Sequence, residues 1–435
     1  MKNFINKIKD EYLEKLSFIL ILLWTTSPII VYTLKRFLIK QANEYFVYIL
    51  YITGIIGLLS YIIYFINLKE KNKKKFIPEL LIIILLIISI ISSILSKNPL
   101  LSIFGENYRK EGLIIYIMYI GILLTASTIK KKEYIAYIFK SIIISGLYIS
   151  ILPFTEKYFT YNHTLTNIFH QFNHYGYYLM INTMLSAFFI LDNKKNKKIF
   201  YSLTFIFFTY LLVRNNTFGC YLSILISLTF LFIYSIVKKY KRFNIIIIIL
   251  LFIITSFATS HYDIKIFEKV KHKNTKGTVS SNLQTFSKDI NNILKNDKKE
   301  INKVGTGRGQ LWKEAINYTL KHPIFGGGME CLKEYYKKKG VTYNDRPHNS
   351  ILQVSSFIGI PGAIIYITLI LYIAISNIKL LNQDILHITT YFTAMSYFIS
   401  SLFGNSMYYT SPYFMILLGL LISFNHSKNT ANNKK

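Results

Sequence analysis

Arg308, Gly326, Gly327, Gly328, Arg346, His348 and Asn349 lie in one polar segment that runs directly into an apolar stretch starting near residue 350. Their residue types suit an anion. Glycines let backbone N–H groups approach phosphate oxygens, and arginine grips such oxygens through two parallel N–H bonds. A helix opening at 350, capped by Asn349 or Ser350, adds its unpaired N–H groups and the positive end of its dipole. His348, with an unperturbed pKa of roughly 6.5, is a candidate general base near neutral pH. Each residue also has a plainer reading: arginines at lipid headgroups, glycines as a flexible turn, a histidine as helix cap or interfacial residue. The set points to a site, although spacing alone does not choose for His348.

The elements that must hold these residues are apolar. Of 435 residues, 52% are hydrophobic and only 17% are charged, and long apolar runs recur from about 16 to 425. That pattern excludes a soluble domain and indicates an all-α, polytopic membrane protein, since open strands cannot leave backbone groups unpaired in lipid. About twelve runs have the necessary character: 16–34, 46–68, 76–95, 113–129, 134–154, 173–191, 199–213, 218–237, 243–260, 350–376, 386–403 and 412–425. The first has no small-residue cleavage signal after it and reads as retained, which puts the amino terminus in the cytoplasm.

The net charge of +30 is explained by where the lysines sit. "KEKNKKK" (69–75), "KKK" (130–132), "KKNKK" (194–198) and "KKYKR" (238–242) fall in alternate loops, all cytoplasmic when counted from that amino terminus. Cytoplasmic loops hold the excess of Lys and Arg, so the charge is a topology signal and not a nucleic-acid footprint. Both termini are then cytoplasmic, and the Arg308–Asn349 segment is extracytoplasmic. Glu79 and Lys140, near cytoplasmic helix ends, read as side chains reaching water or a basic loop. The two cysteines, Cys220 and Cys331, offer neither a disulfide framework nor a metal cluster.

We read residues 1–435 as a single membrane domain with one large loop, 261–349, inserted between the ninth and tenth membrane helices. Residues 261–304 are polar and Lys-rich, with weak helical patterning near 290–294, and suit a mobile cap or a partly disordered segment. Beyond them, Trp312, Ile316 and Leu320 at helical spacing, with Ala315 and Thr319 beside them, predict an amphipathic helix that Pro323 stops. It would lie on the membrane surface or pack on the bundle. A second short helix follows the glycines, capped by Gly340.

Three stretches together resemble a known family. "GRGQLWKEAINYTLKHPIFGGG" followed by "HNSILQVSSFIGIPGAIIYI" is similar to the signature region of the O-antigen ligase and O-antigen polymerase family. "SILSKNPLLSIFGENYRKEGLIIYI" resembles that family's outer segment, with Gly105, Arg109, Glu111 and Gly112 at the matching places, and "IFHQFNHYGYYLMI" resembles the stretch where Asn173 opens a membrane helix. The similarity covers roughly residues 93–380. One departure is plain: Phe218 stands where many relatives have an arginine, and Arg214 lies four residues earlier, about one helical turn away.

The resemblance implies a fold like that of the C-type glycosyltransferases, at the outer face of a bacterial cytoplasmic membrane. It implies transfer of an undecaprenyl-pyrophosphate-linked glycan to the hydroxyl of a glycan or lipid acceptor, with no cofactor or metal ion. In that frame His348 and Arg308 are the catalytic candidates. Arg214, Arg109, Arg346, Asn349, Asn173 and Gly326–Gly328 are the candidate substrate-binding residues. Polymerase and ligase share the donor chemistry and differ in acceptor, so the sequence leaves them open. A transporter or a flippase for the same lipid-linked glycan also has many helices, but calls for polar groups at mid-depth or along a transmembrane path. Here the polar set sits at one lip.

Overall fold

The computed structural model describes residues 10–37, 42–68, 76–107, 109–155, 168, 169, 171–192, 195–261, 304–341, 346–381, 384–405 and 407–432. The helices, in chain order, are α1 (Asp10–Arg36), α2 (Tyr45–Asn67), α3 (Ile77–Ile94), α4 (Pro99–Phe104), α5 (Leu113–Ser127), α6 (Lys132–Thr155), α7 (Phe172–Asp192), α8 (Lys195–Arg214), α9 (Phe218–Val237), α10 (Arg242–His261), α11 (Val304–Lys321), α12 (Leu332–Lys338), α13 (Ser350–Ile378), α14 (Ile385–Ser401) and α15 (Ser411–Asn432). No strand occurs among the described residues. Residues 262–303, which hold most of the expected mobile cap and its patterning near 290–294, lie outside them.

Each of the twelve apolar runs coincides with a helix, yet among the described residues seven helices are long and apolar enough to cross a membrane by length and composition. The difference has a physical cause. A helix enclosed by other helices need not be apolar all round, and α7, buried from His174 to Leu191, carries Asn182, Thr183 and Ser186 in its interior-facing turns. At the periphery the opposite holds. On α3, Leu80, Ile83, Ile87, Ile90 and Ile94 are exposed at alternating three- and four-residue steps, while Ser89, Ser92 and Ser93 face inward. A stripe of that kind belongs against lipid.

Small residues set a close helix crossing. A Cβ on Gly121 of α5 would sit 2.3 Å from the Gly54 carbonyl oxygen of α2, so only glycine permits this approach. Loops collect at two ends of the bundle in alternation. At one end Lys131 meets Glu11 at 2.8 Å, Lys132 meets Asp384 at 2.5 Å, and Lys241 Nζ donates to the Leu191 carbonyl at 2.5 Å. Glu79 lies at this end too, but its expected reach to water is wrong. It is 5% exposed, accepts from Tyr61 OH at 3.2 Å and faces His426 Nε2 at 3.4 Å, because α2 and α15 close over it.

The other end carries the polar set, and a break in α13 shapes it. Pro361 has no N–H to give the Phe357 carbonyl, and Gly359 turns left-handed with φ +77. The orphaned groups are satisfied from outside the helix. Phe357 O accepts from Gly328 N at 3.0 Å and Ser92 Oγ at 2.6 Å, and Ser356 O accepts from Gly327 N at 3.0 Å. Ile360 N donates to Pro323 O at 2.8 Å. The 322–328 turn is therefore a clasp around the kink.

The clasp orients α11, with a correction to its expected face. Leu311, Ala315, Tyr318 and Thr319 pack inward, whereas Ile316 and Leu320 are exposed. Ala315 and Thr319, placed beside the expected stripe, belong to the packed one, where Thr319 Oγ1 lies 3.2 Å from Ser355 Oγ. The following short helix, α12, ends as expected at Gly340, which has φ +75.

Candidate functional site

The loop between α14 and α15, residues 402–410, is the point on which the polar set converges. Asn349 caps α13 through Oδ1, which accepts from the N–H groups of Ile351 and Leu352 at 3.0 Å each, and its Nδ2 donates to Leu402 O at 3.2 Å. Ser350 Oγ lies 2.9 Å from Ser401 Oγ. Between these anchors and buried Arg346, His348 adopts φ +54 and sets Nε2 3.2 Å from Asn405 Nδ2. Arg109, 6% exposed, donates to Met407 Sδ at 3.1 Å.

Arg308 reaches the same region from α11. Tyr177 OH donates to Ser400 O at 2.9 Å, and Cys220 Sγ lies 3.2 Å from Ser400 Oγ. The half-buried Arg308 guanidinium is held below its ordinary pKa by loss of water, with Tyr177 and Cys220 near enough to oppose that shift. No carboxylate pairs with Arg308 among the described residues. It is a partly desolvated cation whose cost of burial an incoming anion would offset.

Arg346 presents the contrast. It is fully buried, ion-paired to both Glu111 and Glu330, and its guanidinium stands 5.9 Å from the Phe357 ring centre. Tyr119 OH donates to Glu111 as well. Beside the expected substrate contact stands a structural role, since two carboxylates pair with Arg346 and tie it to Glu111 and to Glu330 in the turn after Gly328. Breaking a buried pair by removing one partner typically costs about 3–5 kcal/mol. Arg346→Met is therefore expected to lower the thermal unfolding midpoint of the detergent-purified protein markedly, while folded molecules keep their donor affinity. Normal stability with lost donor binding would return Arg346 to the ligand.

The three glycines are engaged within the turn itself. Gly326 N donates to His322 O at 3.0 Å, Gly327 N and Gly328 N are used on the α13 kink, and a Cβ on Gly326 would meet Phe357 O at 2.4 Å. Their N–H groups are used within the clasp. Asn349 is similarly occupied as cap and tether.

Arg214 ends α8 and is 7% exposed. The next residue, Asn215, donates to Phe172 O at 2.7 Å and to Thr217 Oγ1 at 2.6 Å, which pins the α8–α9 turn against the start of α7, where Asn173 is half-buried. Tyr177, the neighbour of Arg308, lies one turn further along α7. Phe218 begins α9 and packs on the main apolar cluster.

An apolar cavity of about 170 Å³ adjoins this end. Ser401, Gly404 and Glu111 are among its polar or small lining residues, while Ile82, Leu86, Leu123 and Leu418 line its deeper part. Among the described residues, no three His, Cys, Asp or Glu side chains form a group that could hold a metal ion. Sequence reasoning missed Glu330 and Asn405. Glu330 falls in a helical-looking run, and Asn405 in a short loop whose importance arises only from contacts with residues far away in the chain.

Residues 203–367 match the family model described as O-antigen ligase. The matched span runs from α8 into α13 and contains Arg214, Arg308, Arg346, His348 and Asn349, while Arg109 and Asn173 fall outside it. A comparison with curated proteins found no match.

Proposed function

We propose that this chain, whose residues 203–367 belong to the O-antigen ligase family, transfers a glycan from undecaprenyl pyrophosphate to an acceptor hydroxyl at the outer face of the cytoplasmic membrane. The observation that carries this reading is the contrast between two arginines at one end of the bundle. Arg346 is neutralised by two carboxylates, whereas Arg308 is half-buried with none among the described residues. A site that keeps one partly desolvated cation uncompensated is suited to a diphosphate.

In the proposed reaction the acceptor hydroxyl attacks the anomeric carbon and gives its proton to His348. The bond from that carbon to the pyrophosphate oxygen breaks, and Arg308 and Arg214 stabilise the charge on the leaving lipid pyrophosphate. Arg109 donates to Met407 of the same loop. The cavity beside Ser401 and Gly404 is apolar enough to hold part of the polyprenyl tail. The alternating Lys-rich loops support an outward-facing site. No metal ion takes part in the proposed step.

Deleting the gene and analysing surface glycan tests the reading in the cell. Short unpolymerised units are expected if the acceptor is a growing glycan, and long chains retained on the lipid carrier if it is a separate lipid or protein. Unchanged surface glycan would contradict both.

A further inference from the structure

The outward side of α11 is apolar. Ile316 and Leu320, about one turn apart, are exposed there, and the exposed Ile324 and Phe325 continue them into the turn that follows. Trp312, half-buried, stands at the edge of this face, and Lys313 and Lys321 are exposed beside it. The other side of the helix, Leu311, Ala315, Tyr318 and Thr319, is already used in packing. A helix with an apolar face on the core and another turned outward calls for a second apolar neighbour.

The clasp shows what that neighbour is. A Cβ on Gly359 would stand 2.2 Å from the Ile324 carbonyl oxygen, and Ile360 N donates to Pro323 O at 2.8 Å. Ile324 and Phe325 therefore adjoin Ile360, where the outward stripe of α13 begins. That stripe, Ile360, Ile364, Leu371, Ile375 and Ile378, is exposed. Thr368 interrupts it, but its hydroxyl donates to the Ile364 carbonyl at 2.8 Å, which spares it an unmet hydrogen bond in lipid. From Ile360 to Ile378 the helix rises about 27 Å at about 1.5 Å per residue, close to the roughly 30 Å thickness of a hydrocarbon core. Lys379 follows at the far end. The 323–325 turn thus falls at the edge of the hydrocarbon, and α11 leads from it into the headgroup layer.

We infer that the outward face of α11, from Ile316 to Phe325, is seated in the lipid leaflet at this end of the bundle, its apolar side chains among the upper acyl chains and Lys313 and Lys321 at the headgroup phosphates. Helix α11 is then held from two sides, by α13 and by lipid. The apolar surface is continuous with the lipid-facing stripe of α13, and the two lysines complement phosphate charge. Lipid contact of this kind goes beyond the proposed reaction and is independent of the roles given to Arg308 and His348.

Tryptophan fluorescence of the full-length protein in phosphatidylcholine vesicles tests the lipid seat. The chain has two tryptophans, and Trp24 is fully buried within the bundle, out of reach of external quenchers. Leu320→Trp, combined with Trp312→Phe, is expected to lose much of its emission when the lipid acyl chains carry bromine near the headgroup, and little of it to aqueous iodide. Lys337→Trp in the same Trp312→Phe background, at an exposed position of α12, is the control and should lose emission to iodide. Quenching at position 320 by iodide alone would place the face in water and overturn the lipid seat. Quenching by neither reagent would mean that protein covers the face, either a second copy or another segment of this chain, and would overturn it equally. Should Leu320→Trp fail to fold, native Trp312 in the unaltered protein gives the same reading once the Trp312→Phe signal is subtracted.

Discussion

His348→Ala is expected to lower glycan transfer by about 10²–10⁴, the usual cost of losing a positioned general base. Expression and donor affinity should remain close to those of the wild type, because α13 is capped by Asn349 and not by the imidazole. The fold offers a reason to expect separability. His348 Nε2 meets Asn405 Nδ2, whereas the start of α13 is tied to the 402–410 loop independently through Asn349 and Ser350. Steady-state kinetics with a lipid-pyrophosphate glycan and a soluble acceptor, beside a donor-binding measurement, check the prediction. Near-normal turnover would make His348 only a loop residue in a strained conformation.

Arg308→Lys is expected to reduce activity by about tenfold to a hundredfold while keeping the positive charge. Hydrogen bonds to charged groups are worth about 1.5–3 kcal/mol, and lysine is a point charge lacking the planar fork that meets two phosphate oxygens at once. Arg36, exposed at the end of α1, is the control, and Arg36→Lys should be silent. Equal small effects at the two positions would mean that Arg308 only anchors α11. The same substitution thus separates geometry from charge.

Much of the scaffold was legible because lipid imposes a simple rule on sequence. Apolar runs separated by Lys-rich loops fix helix positions closely, and the Asn349 cap and the Gly340 stop follow from local backbone chemistry. Two features were harder. On α11 the period fits two faces, 312/316/320 and 311/315/318/319, and only packing against α13 shows that the second is buried. The three glycines look like an anion cradle in sequence, but the N–H groups of Gly327 and Gly328 go to carbonyls of the α13 kink and that of Gly326 to His322 O.

The arginines show the same limit at the site. Arg346 and Arg308 are equivalent as residue types, and what separates them is the arrival of Glu111 from a segment 235 positions away. Asn405 stands 57 positions from His348. Such pairings arise from helix order around the bundle, which no local pattern encodes. The similarity of residues 203–367 to the O-antigen ligase model was readable in motif order, but the contacts among its polar residues needed coordinates.

The measurement that bears most directly on the account uses purified wild-type protein in vesicles, a lipid-pyrophosphate-linked glycan, a hydroxyl acceptor and an excess of chelator. The account predicts one glycosidic bond to acceptor for each lipid pyrophosphate released, at a rate the chelator leaves unchanged. Movement of intact donor across the bilayer with no lipid pyrophosphate released, or transfer that requires a divalent cation at the protein, would contradict it.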